Sequence, residues 1–185
     1  MGTEESRAGP PGGPPLDAWL WDPQVRIHHR RATEADADAV WAAATQLRLS
    51  DTRTLGRLVR WRIPGTPAHV TFRELLRRYP FTLLEEGPHY SLSGLCGRIW
   101  TLRRDYARLH DAEDFRTWDE PGTVRVLIAN WTEELPDGRV ELCDEARVAP
   151  VDRRAAVRLR ALWAAMGRFE SLVGSEAVSR AVRQA

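Results

Sequence analysis

Apolar positions in the last third of the chain change from a two-residue to a helical period, and that switch predicts much of the fold. Thr123 to Leu135 reads as one strand, Pro136, Asp137 and Gly138 as a turn, and Arg139 to Val148 as a second strand. Beyond Pro150 and Asp152, residues Ala155, Leu159, Leu162, Met166, Phe169 and Val173 fall on one stripe, as a long amphipathic C-terminal helix requires. A sheet closed by such a helix has the means to enclose a ligand.

The pattern upstream alternates less regularly. Val25 to Arg30 is a short first strand; Thr33 offers a helix N-cap, and Val40, Trp41, Ala44 and Leu47 follow at helical spacing. Thr54 to Trp61 is a second helix, ended by Ile63-Pro64-Gly65, and Phe72 to Arg78 a third, capped by Thr71. The sheet resumes at Phe81 to Glu86, turns at Gly87-Pro88 and continues as a long strand from His89 to Trp100, where Gly94 and Gly97 permit a bend. Thr101 to Glu113 is part strand and part loop, and Phe115 to Gly122 a turn-rich connector. Met1 to about Pro15 is rich in Gly and Pro and reads as a mobile tail. Trp19 and Trp21 then break that composition, either docking on the body or marking a partner site. The expected organisation is a tail over residues 1–22 and one domain over 23–185.

Composition narrows the function classes. Hydrophobic residues make up 43% and charged residues 29% of 185 positions, as in an ordinary globular chain with a full core. All 27 basic residues are arginine, which reads first as coding bias, and the net charge of +1 argues against a general nucleic-acid binder. Cys96 and Cys143 form no C-x-x-C pair, so reduced, buried thiols are expected. No segment has the roughly 18 apolar residues of a membrane span, and there is no signal-peptide pattern, so a cytoplasmic protein without stable membrane insertion is expected. The histidines His28, His29, His69, His89 and His110 lack metal-binding spacing, and no phosphate, dinucleotide or nucleophile-elbow motif occurs. Neither a metal nor a cofactor is expected. The oligomeric state is not encoded in any motif.

Four strings, read in order, resemble one family: LLEEGP (Leu83 to Pro88), GLCGRIW (Gly94 to Trp100), WDEPG (Trp118 to Gly122) and LCDEARV (Leu142 to Val148). They are similar to bacterial members of the SRPBCC superfamily, the START-like group containing polyketide cyclases and lipid-transfer proteins. The resemblance implies an α+β helix-grip fold, a curved antiparallel sheet wrapped around a long C-terminal helix with an apolar cavity between them. The helical stretch between the first strand and Phe81 is longer than in the simplest members, which bears on the cavity's mouth and volume.

Within that frame, side-chain parity names candidates. In the last strand Val140, Leu142, Asp144, Ala146 and Val148 share one face, while Arg139, Glu141, Cys143, Glu145 and Arg147 lie on the other, which looks solvated. Asp144 is thus an acid in an apolar row, either a general acid or base of raised pKa or a carboxylate satisfied by a neighbouring donor. Tyr90, Leu92, Gly94, Cys96, Arg98 and Trp100 share a face of the long strand, so Arg98 either anchors a ligand oxygen or joins a structural ion pair. Asn130 shares a face with Val126 and Ile128, and parity alone leaves open which face looks inward. His89 is the best acid or base among the histidines, or else a surface residue at a strand end.

The leading expectation is binding of a hydrophobic, ring-containing small molecule or lipid between the sheet and the C-terminal helix. Trp100, Trp163, Met166 and Phe169 would form apolar walls, and Arg98, Asn130 and Asp144 polar fixings. The alternative is a cyclase/aromatase-type enzyme in which Tyr90, Arg98 and Asp144 move protons. A third class is an adaptor acting through its surface, including the Trp19/Trp21 segment.

Overall fold

Five strands form one antiparallel sheet with helices on either side, and its three middle strands carry buried residues on both faces. The computed structural model describes residues 13–101, 105–166 and 170–185, with the backbone alone for 166 and 170–174. In chain order the elements are α1 (Leu16–Trp19), β1 (Val25–Thr33), α2 (Ala37–Gln46), a single 3-10 turn (Leu49–Asp51), α3 (Thr54–Arg62), α4 (Phe72–Leu76), β2 (Thr82–Gly87), β3 (Tyr90–Gly97), α5 (Ala112–Arg116), β4 (Val124–Glu134), β5 (Val140–Pro150), α6 (Arg153–Met166) and α7 (Glu170–Val182). The sheet order is β1-β5-β4-β3-β2. The hairpin expected at Pro136-Asp137-Gly138 joins β4 to β5, with Val124 opposite Pro150 and Glu134 opposite Val140.

Several boundaries differ from the sequence reading, each for a local reason. β1 runs on to Thr33, which pairs with Val140. The cap of α2 therefore moves from Thr33 to Asp36, whose side chain accepts the Ala39 N–H. Thr71 and Glu74 form the reciprocal capping box of α4. β3 stops at Gly97, not Trp100: that residue has φ of 144°, and a Cβ there would stand 2.3 Å from the Asp105 carbonyl oxygen. Part of the stretch read as loop and connector is helical, because Asp111 caps α5 by accepting the Glu113 and Asp114 N–H groups. The long C-terminal helix is described as two helices, α6 and α7, and residues 167–169 between them lie outside the described residues.

One face of the sheet is covered by helices that follow β1 and β5. Val25, Leu95, Val124, Val126 and Val148 pack against Leu159 of α6. Val140 and Leu142 pack against Val178 and Ala181 of α7 and Val40 of α2. Glu176 of α7 takes the exposed N–H groups of Arg53, Thr54 and Leu55, so one side chain both caps α3 and ties it to α7.

The other face corrects two expectations. The row containing Cys143, Glu145 and Arg147 is buried rather than solvated. Leu16, Trp19 and Leu20 cover it together with Phe115 of α5 and Leu109, forming a core with Leu92, Cys96, Leu127, Ala129 and Trp131. Residues 16–20 are thus packed into the fold although they precede the boundary expected at residue 22; residues 1–12 of the expected tail lie outside the described residues. Gly94 is required where it stands, since a Cβ would meet the Phe115 ring at 2.6 Å. Of the two tryptophans in that segment, Trp19 docks, donating Nε1–H to Glu85 at 2.8 Å beneath the Arg116 guanidinium, whereas Trp21 is 77% exposed.

Candidate functional site

The face covered by α2, α3, α4 and α7 does not close completely. A cavity of about 230 Å³ remains between those helices and the middle of the sheet. Its floor is Ser91 of β3, Ile128 and Asn130 of β4, and Leu142, Asp144 and Ala146 of β5. The helices bring Trp41, Ala44 and Thr45 from α2, Leu55 and Val59 from α3, Phe72, Leu75 and Leu76 from α4, and Ala177, Val178 and Ala181 from α7, with Phe81 beside them. The lining is apolar except at a few points. The helical stretch between β1 and β2 supplies most of the roof, because its inward residues sit at helical spacing above a sheet face that α6 and α7 leave partly open.

Asp144 is the polar centre. Its carboxyl is shielded from bulk water, and the surface it retains lines the cavity. Burial pushes its pKa up to about 6 from the usual 3.8; the hydrogen bond from Asn130 pulls it down, and the negative charge of Glu145 adds to the rise. Asn130 Nδ2 donates to Asp144 Oδ1 at 2.7 Å. The register explains this pairing, because Asn130 stands directly opposite Asp144. The same level of the sheet carries Ser91 opposite Asn130, and His29 opposite Asp144 on β1. Ser91, Asn130 and Asp144 therefore form one polar row across an otherwise apolar floor.

Other residues singled out from the sequence lie elsewhere. On β3 it is Ser91, not its even-numbered neighbours, that faces the cavity; Leu92 and Cys96 belong to the opposite core, and Tyr90 packs against that core with its hydroxyl donating to Glu85 at 2.8 Å. The alternation on β3 was read correctly as a period, but both faces are buried, so an apolar row did not identify the ligand side. Arg98 follows the end of β3 and is held by Asp105 at 2.9 Å and Glu120 at 3.3 Å, two residues outside the strands. Trp100 and Trp163 pack with the Val124–Leu159 cluster under α6, away from the cavity lining. Met166 is described by its backbone alone and Phe169 lies outside the described residues. His89 meets Asp38 at 2.7 Å near the surface.

Sequence reasoning missed Trp41, Leu55, Val59, Phe72 and Ser91 as cavity walls. The signal is present for the helical residues, since Trp41 falls at helical spacing with Val40, Ala44 and Leu47, and Leu55 and Val59 are four apart in the stretch Thr54 to Trp61; what is absent is the order in which helices cover the sheet. The two thiols are inert as reactive groups, because burial pushes both Cys96 and Cys143 up to about 12. Among the described residues no group of three or more His, Cys, Asp or Glu side chains converges to hold a metal. No described helix is long and apolar enough to cross a membrane.

No family model and no curated protein matches this chain. Among solved structures it is similar to a hypothetical protein from Helicobacter pylori, at 10% identity and a TM-score of 0.39, over 99% of this chain and 98% of the other. It is also similar to the Zhui aromatase/cyclase from Streptomyces sp. R1128, at 17% identity and a TM-score of 0.32, over 86% of this chain and 94% of the other. Neither similarity carries a functional inference.

Proposed function

We propose that this protein binds a hydrophobic, ring-containing small molecule in the cavity beneath α2, α3, α4 and α7, oriented by the Asp144–Asn130 pair. The observation that carries this reading is an apolar cavity of about 230 Å³ whose floor holds one hydrogen-bonded carboxyl. A cavity of about 150 Å³ accommodates a benzene ring, so the space suits one or two fused rings. A lipid would place only part of an acyl chain inside. Few polar groups in an apolar pocket fix a ligand's orientation without adding much to its desolvation cost.

Native mass spectrometry of the protein purified from a bacterial host, followed by extraction and identification of bound small molecules, tests this. A stoichiometric ring compound, displaced in Ala146→Leu, is the expected result. An empty protein whose thermal stability is unmoved by a panel of mono- and bicyclic aromatic compounds would remove the proposal.

A second reading is favoured by the raised pKa of Asp144. A carboxyl that exchanges its proton near pH 6 is suited to general acid or base work. In the cyclase/aromatase reading it would take one proton from a methylene between two carbonyls and return it to the alkoxide formed by aldol closure, then take the second methylene proton and return it to the hydroxyl as that leaves as water. Asp144 stands without Tyr90 or Arg98 in that role, since both lie off the cavity. Turnover of a poly-β-keto thioester mimic, abolished in Asp144→Asn, supports this reading; no turnover with retained binding leaves the binding function alone.

A further inference from the structure

The electrostatics of the cavity narrow its ligand further, on the premise that it binds ring compounds at all. We infer that the ligand carries a protonated amine, seated against the Asp144 oxygen that no group among the described residues occupies. Asn130 donates to Oδ1 of that carboxyl, and among the described residues Oδ2 receives no donor. An ionised carboxylate in apolar surroundings requires a counter-charge or a proton. Among the described residues no counter-charge acts on Asp144: burial, Asn130 and Glu145 do, and no cation is among them.

The charged groups around it are otherwise engaged. Among the described lining residues Arg73 of α4 is the sole basic one, and its guanidinium is drawn to Glu86 at 3.1 Å while remaining 45% exposed. From α2, α3 and α7 the described lining residues, such as Trp41, Thr45, Leu55, Val59 and Val178, include none that is titratable. Glu176 of α7 is spent on the N-terminus of α3. On the sheet, His29 occupies the register position opposite Asp144 on β1, and Glu145, next in the chain, points to the other face and adds negative charge. Thr45 is used internally, its hydroxyl donating to the Trp41 and Ala42 carbonyls.

The resulting site carries one negative group in a mostly apolar lining, with aromatic side chains Trp41, Phe72 and Phe81 among its walls. An ammonium meets both demands, because it neutralises the carboxylate and is attracted to aromatic faces. A ligand carboxylate would add a second uncompensated charge beside the first. Fatty acids and aromatic acids are therefore disfavoured, and aryl-alkyl amines favoured.

Three probes of the same shape separate the possibilities: naphthylmethylamine, naphthylmethanol and naphthoic acid, titrated calorimetrically into wild type and Asp144→Asn at about pH 7.5, where a free carboxylate is ionised. The amine should bind about tenfold more tightly than the alcohol, or better, and the acid most weakly. Asp144→Asn should abolish the amine's advantage while leaving the alcohol's affinity within about threefold. The amine's affinity should also fall as pH drops below about 6, where Asp144 takes up its own proton. Equal binding of amine and alcohol, or an amine preference that survives in Asp144→Asn, overturns the inference while the cavity remains a ring-binding site. Binding of none of the three overturns both.

Discussion

Asp144 and Glu145 are consecutive residues of one strand, and the two faces of the sheet treat their carboxyls in opposite ways. Burial acts first on both. On the cavity face nothing positive among the described residues answers it, and Asp144 is pushed up to about 6. On the opposite face burial raises Glu145 too, but hydrogen bonds from Arg26 and Arg147, together with their charges, more than offset it and leave the pKa below the ordinary glutamate value. Arg26 and Arg147 reach Glu145 at 2.7 and 2.6 Å, and Arg147 also binds Asp17 and the Leu20 carbonyl. The closed face spends its charges on holding the N-terminal segment against the sheet. The cavity face leaves one charge unspent, and an unspent buried charge is where a ligand gains most from binding.

The largest effect should come from breaking the closed-face network. Glu145→Ala leaves Arg147 buried with only Asp17 and a backbone carbonyl, and should cost about 3–5 kcal/mol in urea unfolding. Replacing Glu145 and Arg147 together by Leu and Met should cost far less, because the charges left without them, Arg26 and Asp17, are half exposed and none stays buried. A single substitution no more harmful than the double one would show that the network does not hold the segment.

The next effect is the pH dependence of the two carboxyls, and its signs are opposite. Folded Asp144 holds its proton to a higher pH than the usual 3.8, so between about pH 4 and 6 the folded state binds more protons than the unfolded one. Its contribution to stability falls as pH rises through that window, ending in a cost of about 3 kcal/mol at most. Glu145 contributes stability present above its ordinary value of 4.5 and lost as pH falls through its lower folded pKa. Asp144→Asn should therefore become more stable relative to wild type between about pH 4 and 7, by up to about 3 kcal/mol. A stability difference that is flat across that range would mean Asp144 is not desolvated, and the contrast between the faces would collapse.

How much of this was legible in the sequence follows from the same two faces. The alternation of β4 and β5 gave strand positions, hairpin and the partition of Asp144 from Glu145 correctly, because side-chain parity depends on the backbone alone. Parity could not say which row is enclosed by what. Cys143, Glu145 and Arg147 look like a solvent row until Leu16, Trp19 and Leu20 are laid over them, and that contact joins residues more than a hundred positions apart. Asp144 and Asn130 were each named from their own strand, and the register that makes them partners follows from the hairpin. Tyr90 and Arg98 were assigned to the ligand side because an apolar row was taken to mark it, whereas a sheet buried on both faces has two such rows. The cavity's walls come from α2, α3 and α4, whose individual helical periods were readable but whose order of packing over the sheet depends on long-range contacts.

The smallest stability effect isolates packing from charge. Ala129 and Ala146 sit on adjacent strands, one on each face: Ala129 is fully buried in the closed core, opposite Glu145, while Ala146 lines the cavity, opposite Ile128. Enlarging either to Leu adds the same atoms to different surroundings. In the closed core they must displace neighbours such as Leu92 and Trp131, so Ala129→Leu should cost about 1–3 kcal/mol. In the cavity they enter open space, so Ala146→Leu should leave stability within about 1 kcal/mol of wild type, or raise it, as cavity filling often does. Thermal and urea unfolding of the two variants measure the difference directly. Ring-compound affinity should move the other way, falling about tenfold or more in Ala146→Leu because the added side chain occupies the ligand's volume. If both enlargements cost the same, the space above Ala146 closes in solution, and the two faces differ in charge alone.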